Sequence, residues 1–372
     1  MSVYTNQHQS TRLMPRLVSA LSGVADVEIA VGFFGSSFSP ALEAQITRAA
    51  AFARVRILLG MYFYRGMKDA EYKRAEAINN ALVATGKSGA GVYIAHKEYH
   101  GKLYKFEYEE RGHDTLILGS SNLSPDGLEK RLECNVELHE GDDRYQSLAL
   151  YLDDLFSSDI SYPFAQVDLR QKSRIVKTGR AAYSITEALF NQATSQVVGK
   201  CPIRLRPDDQ PNSSLNLYFD GGRKSATTKL YAPRPWYEVE ITTLASERKN
   251  SFYPKTVPNP TAKTPGGKSR TASFYGYFKF RGEYHKVPMK VSGDGGKDIM
   301  SAKPAGREVL GEFIKGTLED LNVLKRGDRV TDATLQQAGF SHLVMTKLIG
   351  GDYLLTLEDL TSVDRVQYEF DQ

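Results

Sequence analysis

Strand-like apolar runs alternate with helix-like segments over the first 160 residues, and this alternation most limits the folds open to the chain. The apolar runs are residues 27–34, 55–61 and 91–95. The segments with apolar residues at helical spacing are residues 40–53, 69–82 and 142–156. Ser39 is the predicted cap of the first helix, with Pro40 at its first position. Apolar strands separated by helices predict an α/β sandwich with a mostly buried sheet.

After about residue 190 the pattern changes to short β-like runs separated by loops rich in Pro, Gly and Ser. Two such runs are residues 236–241 and 273–280, and one helix-like segment, residues 305–321, interrupts them. Short strands with turn signals between them are typical of a small barrel or pseudobarrel. A chain of 372 residues is also long enough for two domains. We therefore predict an α/β domain over residues 1–180 and a mostly-β domain over residues 191–372.

The composition is ordinary for a globular protein, with 25% charged and 41% hydrophobic residues. Two cysteines, Cys134 and Cys201, are too few for a disulfide scaffold or a four-cysteine zinc site. The first 25 residues contain no apolar run of signal-peptide length. The longest apolar stretch, residues 55–63, is much shorter than the ~20 residues that a membrane helix needs. We expect a soluble, cytoplasmic protein.

The formal net charge of +4 conceals an uneven distribution of charge along the chain. Residues 191–300 contain 18 Lys and Arg against 9 Asp and Glu, whereas residues 1–190 and 301–372 carry net charges of −1 and −4. Such a basic window is typical of a protein that binds a polyanion, because each contact with a phosphate releases condensed counterions. A solvated basic surface without a partner would give the same count, so charge alone leaves both interpretations open.

The residues best suited to catalysis fall between residues 100 and 137, and they are His100, Lys102, Ser120, Asn122 and Glu133. His100 and Lys102 are two residues apart, so a strand would direct both side chains from one face. An apolar strand over residues 115–118 would deliver the Gly-Ser-Ser-Asn turn at its end. Together these groups suit attack on a phosphodiester: the imidazole is the nucleophile, a carboxylate orients it, and the ammonium and amide bind the phosphate oxygens.

The motifs His100-x-Lys102 and Gly119-Ser120-x-Asn122 resemble the HxK…GSxN signature of the phospholipase D superfamily. Glu133, eleven residues after Asn122, stands where the phospholipase D-type restriction endonucleases carry their acidic partner. The resemblance covers residues ~20–160. It implies a reaction without a metal ion, through a phosphohistidine on His100. It also implies a homodimer, in which the His100 of the second copy protonates the leaving oxygen.

One position departs from the usual superfamily pattern. Glu107 stands where the superfamily places an Asp, and a hairpin insertion delays Gly119. The restriction branch shares this loss, so the resemblance assigns the orienting carboxylate to Glu133 rather than to Glu107. The alternative is that Glu133 only forms an ion pair with Lys130 or Arg131.

Residues ~195–360 carry a second resemblance, through the segments 212–217, 231–239, 290–299 and 308–313. They are similar to the C-terminal DNA-recognition domain of the BfiI and NgoFVII restriction enzymes, a pseudobarrel related to the plant B-three DNA-binding domain. The resemblance implies two arms that grip the major groove, near residues 214–224 and 290–298. Arg and Lys can read guanine, Asn adenine, and Asp cytosine. The candidate DNA contacts are Ser214, Asn216, Arg223, Lys224, Arg248, Lys290, Asp294 and Lys297.

Residues 262–269 end like a phosphate-binding P-loop, but Ala262 replaces the first glycine and no apolar strand precedes the segment. We therefore predict no ATP site. The sequence as a whole predicts a bacterial, homodimeric, sequence-specific restriction endonuclease that cuts double-stranded DNA without a metal or other cofactor. The alternatives are a nuclease subunit that needs a separate helicase or ATPase partner, and a non-specific nuclease.

Overall fold

The computed structural model describes residues 2–35, 40–169, 183–209, 211–260 and 268–360. These residues form two compact units. The first unit contains the residues up to 169 and also residues 221–233, and the second contains residues 183–220 and 234–360. Ser39 and most of the P-loop-like segment lie outside the described residues.

The first unit is an eight-stranded sheet with helices on its faces. Its strands are β1 (Ser2–Tyr4), β2 (Val24–Val31), β3 (Arg54–Leu59), β4 (Gly91–Ala95), β5 (Lys102–Tyr108), β6 (Thr115–Gly119), β7 (Asn135–His139) and β8 (Ser161–Pro163). Its helices are α1 (Leu13–Ala20), α2 (Pro40–Ala50), α3 (Tyr62–Arg65), α4 (Asp69–Val83) and α5 (Tyr145–Leu155). This arrangement confirms the predicted α/β sandwich.

The strand order of this sheet is β1-β7-β6-β5-β2-β3-β4-β8. Strands β2, β3 and β4 are parallel neighbours, and β5 lies antiparallel to β2. The residues that follow β2, β3 and β4 therefore share one edge of the sheet with the residues that precede β5. We call this the catalytic edge, because His100, the candidate nucleophile, lies there. Helix α5 covers one sheet face, where Tyr145 and Leu152 pack with Leu103 and Leu116.

Two glycines allow the chain to pass closely over the catalytic edge. A Cβ atom at Gly60, directly after β3, would lie 1.9 Å from the carbonyl oxygen of Tyr99. A Cβ atom at Gly32, directly after β2, would lie 3.1 Å from the imidazole Cδ2 of His100. Because any side chain at residue 60 would collide with backbone, this glycine fixes the path of the loop that carries His100.

A short hairpin from the middle of the sequence also belongs to the first unit. It consists of β11 (Arg223–Lys224) and β12 (Tyr231–Ala232), which follow β9 (Ser184–Ile185) and β10 (Val197–Arg204) in the sequence. The Tyr231 ring stacks on Tyr162 of β8 at 4.1 Å, and Tyr162 stacks on His96 at 4.4 Å. The amide N–H of Asp168 donates to the carbonyl of Tyr231 at 2.9 Å. Stacking and backbone pairing together attach the hairpin to the β4–β8 side of the sheet.

The second unit is mostly β structure, as predicted. Its strands are β9 (Ser184–Ile185), β10 (Val197–Arg204), β13 (Ile241–Thr242), β14 (Val257–Pro258), β15 (Arg270–Phe280), β16 (Glu283–Ser292), β17 (Asp298–Ser301), β18 (His342–Leu348) and β19 (Tyr353–Glu358). Its helices are α6 (Glu187–Thr194), α7 (Val309–Asp320) and α8 (Asp332–Ala338). The main path of the sheet runs β10-β18-β19-β15-β16-β17-β13, and α7 packs on it through Phe313, which stacks on Phe278.

The strand predicted over residues 236–241 is wrong except at its last residue. Trp236 and Tyr237 lie in a turn and are fully buried. Helix α7 determines this conformation: the Lys315 ammonium donates to the Trp236 carbonyl at 2.6 Å, and Gly311 lies so close that a Cβ there would meet the Tyr237 carbonyl. Tertiary packing of aromatic residues therefore overrides their β propensity.

Candidate active site

His100 and Lys102 lie together at the catalytic edge, but only Lys102 lies in a strand, because β5 begins there and His100 belongs to the preceding loop. The Lys102 ammonium lies 3.3 Å from Nδ1 of His100 and 3.5 Å from its Nε2, and it donates to the His100 carbonyl at 2.5 Å. Lys102 is 5% exposed, whereas His100 is exposed. The pair presents an accessible imidazole with a cation directly behind it.

Burial lowers the pKa of Lys102, and the negative charge of Glu133 opposes that shift. The second effect places the Glu133 carboxylate within electrostatic range of the ammonium. A buried cation with a nearby carboxylate keeps a positive charge at a fixed place, which is the requirement for binding a phosphate oxygen.

Asn122 reaches the same edge from the turn after β6. Its Oδ1 accepts a hydrogen bond from the backbone N–H of Phe33 at 3.0 Å. The Phe33 ring meets the His100 ring edge-on at 5.7 Å between centres. Because Oδ1 is occupied, the Nδ2 donors of Asn122 are the groups that can bind a substrate oxygen.

Ser120 and Glu133 form a directly bonded pair. The Ser120 hydroxyl donates to the Glu133 carboxylate and accepts from the backbone N–H of Cys134 at 3.0 Å. A Cβ atom at Gly119 would lie 2.3 Å from Oδ1 of Asn135, so the ends of β6 and β7 pack too closely for any larger residue. This packing holds the Ser120 hydroxyl against the carboxylate.

The alternative partners of Glu133 lie elsewhere. Lys130 and Arg131 are 3.6 Å and 3.7 Å from the carboxylate of Asp126. Glu107 bonds to Lys105 at 2.6 Å, and strand alternation places both on the face of β5 opposite to Lys102. The structure thus brings Glu133, and not Glu107, toward Lys102.

Buried polar groups hold the turn that carries these residues. Asn135, fully buried, accepts from the Ser121 N–H at 3.2 Å and donates to the Ser121 hydroxyl at 2.9 Å. The buried Tyr104 hydroxyl donates to the Ser121 carbonyl at 2.7 Å. The sequence analysis did not identify these supporting residues. Tyr104 lies two residues after Lys102, a spacing that places both side chains on one face of a strand, and this spacing could have indicated that Tyr104 lies near the site.

The described ranges contain no group of three or more His, Cys, Asp and Glu side chains placed to hold a metal ion. No helix within those ranges is long and apolar enough to span a membrane.

The eight candidate DNA contacts are divided between the two units. Arg223 and Lys224 lie in the hairpin of the first unit. Asn216 is 1% exposed, and its amide bonds to the backbone N–H and carbonyl of Val330 at 2.9 Å and 2.8 Å. The assignment of Asn216 as a DNA contact is therefore wrong, because its hydrogen bonds hold two segments of the second unit together.

Four of the remaining candidates surround the loop after β16. Arg248 donates to the Thr243 carbonyl at 2.6 Å, and Thr243 in turn donates to the Lys297 carbonyl. Lys297 and Asp294 are exposed, whereas Lys290 is half-buried, with its pKa lowered by burial and by Arg307.

Ser214 is half-buried. Its hydroxyl accepts from the backbone N–H of Thr242 at 3.1 Å, and its φ of 49° lies in the left-handed region.

Comparisons with known proteins agree with this arrangement. Residues 14–169 match the family model of the NgoFVII restriction endonuclease N-terminal PLD domain. Residues 200–349 match the family model of the NgoFVII C-terminal B3-like DNA-binding domain. None of the curated proteins compared matches the chain.

Similar solved structures include Nuc, a phospholipase D family member from Salmonella typhimurium, with 14% identity, 44% of this chain and 95% of that chain covered, and a TM-score of 0.32. NucT from Helicobacter pylori has 14% identity, 44% and 97% coverage, and a TM-score of 0.31. These scores are too low to support an assignment, which rests on the two family models. Because the models match in succession, a nuclease domain and then a DNA-binding domain, the chain is a restriction endonuclease of the phospholipase D superfamily with a C-terminal B3-like domain.

Proposed function

We propose that this enzyme hydrolyses DNA phosphodiesters at a specific sequence, without a metal ion, through a phosphohistidine on His100. One observation carries the proposal: the exposed His100 imidazole lies 3.3 Å from the buried Lys102 ammonium. A neutral imidazole is a nucleophile for phosphorus, and a fixed cation beside it can neutralise the phosphate charge that a metal ion neutralises in other nucleases.

In the first step, the unprotonated ring nitrogen of His100 attacks phosphorus, and the bond to the leaving oxygen breaks. Lys102 and the Nδ2 donors of Asn122 bind the non-bridging oxygens, on which charge develops. In the second step, water attacks the phosphohistidine, loses a proton to a general base and releases His100. Glu133 stabilises the charged Lys102, and Ser120 positions Glu133 through their hydrogen bond.

The leaving oxygen needs a proton, and we propose that the His100 of a second copy supplies it. The sequence contains one HxK motif, at residues 100–102, so one chain offers one such imidazole. In a homodimer, the two His100 residues would act as nucleophile and general acid in the first step. The second His100 would then accept the proton from water.

We propose that the second domain, residues 191–372, supplies sequence recognition of double-stranded DNA. Arg248, Lys290, Asp294 and Lys297 are the candidates, because they surround one loop of the second unit and combine donors with one acceptor. Ser214 is a candidate for a backbone contact only, since its hydroxyl already accepts from Thr242. We also propose that the enzyme acts in the cytoplasm of bacteria.

Cleavage of plasmid and phage DNA in EDTA tests this function. The wild type should give discrete fragments, and His100→Ala should give none. His113→Ala is the matched control, because His113 is an exposed histidine at the opposite edge of the same sheet and should cut like the wild type. Denaturation at alkaline pH should also leave labelled DNA attached to the wild type and not to His100→Ala.

Other outcomes would contradict parts of the proposal. Cleavage that requires Mg²⁺ would overturn the metal-free phosphohistidine reaction. Smeared fragments would indicate a non-specific nuclease. Cleavage that requires ATP and an added protein would indicate a subunit that depends on a helicase partner.

A further inference from the structure

The catalytic edge continues past His100 across β2, β3 and β4. Each strand is about 4.8 Å from the next, so the edge extends about 14 Å from β5 to β4. About four phosphates of one DNA strand occupy that length along a duplex axis. The residues that follow each strand at this edge could therefore contact successive phosphates of a strand bound at His100.

Arg65 is the first exposed cation along this edge. It ends α3, directly after β3, and its guanidinium lies 5.4 Å from the centre of the Phe33 ring. That ring centre lies 5.7 Å from the His100 ring centre, so the guanidinium is within about 11 Å of the imidazole. Tyr62, on the same helix, donates its hydroxyl to the Phe34 carbonyl at 2.6 Å and thereby ties α3 to the loop after β2.

The hairpin of residues 221–233 provides further cations at the far end of the edge. Its ring stack ends on His96, the residue directly after β4. Gly222 packs so closely on Phe63 of α3 that a Cβ there would lie 2.7 Å from the ring. The hairpin is therefore attached beside α3, on the same edge as Arg65.

All the charged side chains of the hairpin are positive. Residues 221–233 contain Arg223, Lys224 and Lys229 and no acidic residue, and all three cations are exposed. The Ser225 hydroxyl accepts from the N–H groups of Thr227 and Thr228, which orders the tip before any ligand binds. An ordered, exposed and acid-free loop is complementary to a phosphate backbone.

We propose that Arg65 and the hairpin form a phosphate-binding track that holds the DNA strand beside the catalytic histidine without reading its sequence. This inference rests on the proposed nuclease function and extends it. It also changes the expected role of Arg223 and Lys224: they act with the nuclease unit and are not base-reading residues of a recognition arm.

The triple variant Arg65→Ala/Arg223→Ala/Lys224→Ala tests the track in the full-length protein. Its matched control is Arg48→Ala/Lys87→Ala/Arg111→Ala, which removes two arginines and one lysine near the opposite edge of the same sheet. Affinity for a duplex is measured against salt concentration in EDTA, in a His100→Ala background that needs no cleavage. The slope of log affinity against log salt should become less negative by about 2 to 3 in the track variant and stay unchanged in the control.

The same substitutions in the active enzyme distinguish binding of the phosphate backbone from recognition of the base sequence. The track variant should give the wild-type fragments with at least about tenfold lower kcat/KM at physiological salt. Equal salt slopes in the two triple variants would overturn the track, and so would new fragments from the track variant, because these would indicate base reading. If the wild type never cuts but the slopes differ as expected, the proposed reaction fails and the binding track stands.

Discussion

At the scale of single residues, the least expected group is the fully buried Lys315 of α7. Its ammonium donates to the Trp236 carbonyl at 2.6 Å and lies 4.1 Å above the Trp236 ring. Glu319, one turn along α7, accepts from Trp236 Nε1 at 3.2 Å. Lysine is rarely buried without partners of this kind, so the polar cluster explains why the chain turns at Trp236.

Burial lowers the pKa of Lys315 to about 7, and Glu319 opposes the shift. The unfolded chain therefore binds more protons than the folded chain between about pH 7 and pH 10, so the Lys315 contribution makes stability rise with pH there. We expect Lys315→Met to reduce the pH slope of the unfolding free energy by up to about 1.4 kcal/mol per pH unit. Denaturant unfolding from pH 7 to 10 measures this slope.

The exposed Lys325 provides the control, since Lys325→Met should keep the wild-type slope. Equal slopes for Lys315→Met and the wild type would show that Lys315 titrates as an ordinary lysine.

At the scale of elements, Gly60 sets the position of the catalytic loop. A Cβ atom there would lie 1.9 Å from the Tyr99 carbonyl oxygen, one residue before His100. Gly60→Ala should therefore destabilise the protein by about 2 kcal/mol or more and lower kcat at least tenfold, because the loop must move. Gly141→Ala is the control, since nothing lies within 4 Å of its Cβ position. Thermal unfolding and DNA cleavage check both variants, and a Gly60→Ala enzyme with wild-type activity would show that the loop tolerates displacement.

The elements also show where sequence reasoning succeeds and where it fails. The apolar runs at residues 55–61 and 91–95 correspond to β3 and β4. They could be predicted because a buried strand shows as a continuous apolar run in the local sequence. The strand predicted over residues 236–241 is wrong except at its last residue, because the aromatic residues of this run pack against α7 instead of joining the sheet. Local patterns cannot reveal such distant packing.

For the candidate site, the two-residue spacing of His100 and Lys102 correctly indicates that they lie together, although His100 lies in the loop before β5 and not in the strand. Arg65 and the hairpin could not be identified from the sequence, because the contact of Arg65 with Phe33 and the stacking of His96, Tyr162 and Tyr231 depend on the order of strands in the sheet. The burial of Asn216 could not be identified either, because Val330 is 114 residues away in sequence.

At the scale of the whole molecule, the central prediction is that two copies of the chain share one active site. Each chain has one HxK motif, whereas the proposed reaction uses two histidines. A mixed dimer of wild type and His100→Ala lacks either the nucleophile or the general acid, so it should be inactive. Co-refolding the two chains at equal amounts should therefore leave about one quarter of wild-type activity, the fraction of wild-type pairs under random assembly. Mixing with His113→Ala should leave full activity. One half of the activity in the His100→Ala mixture would mean that each chain cuts alone.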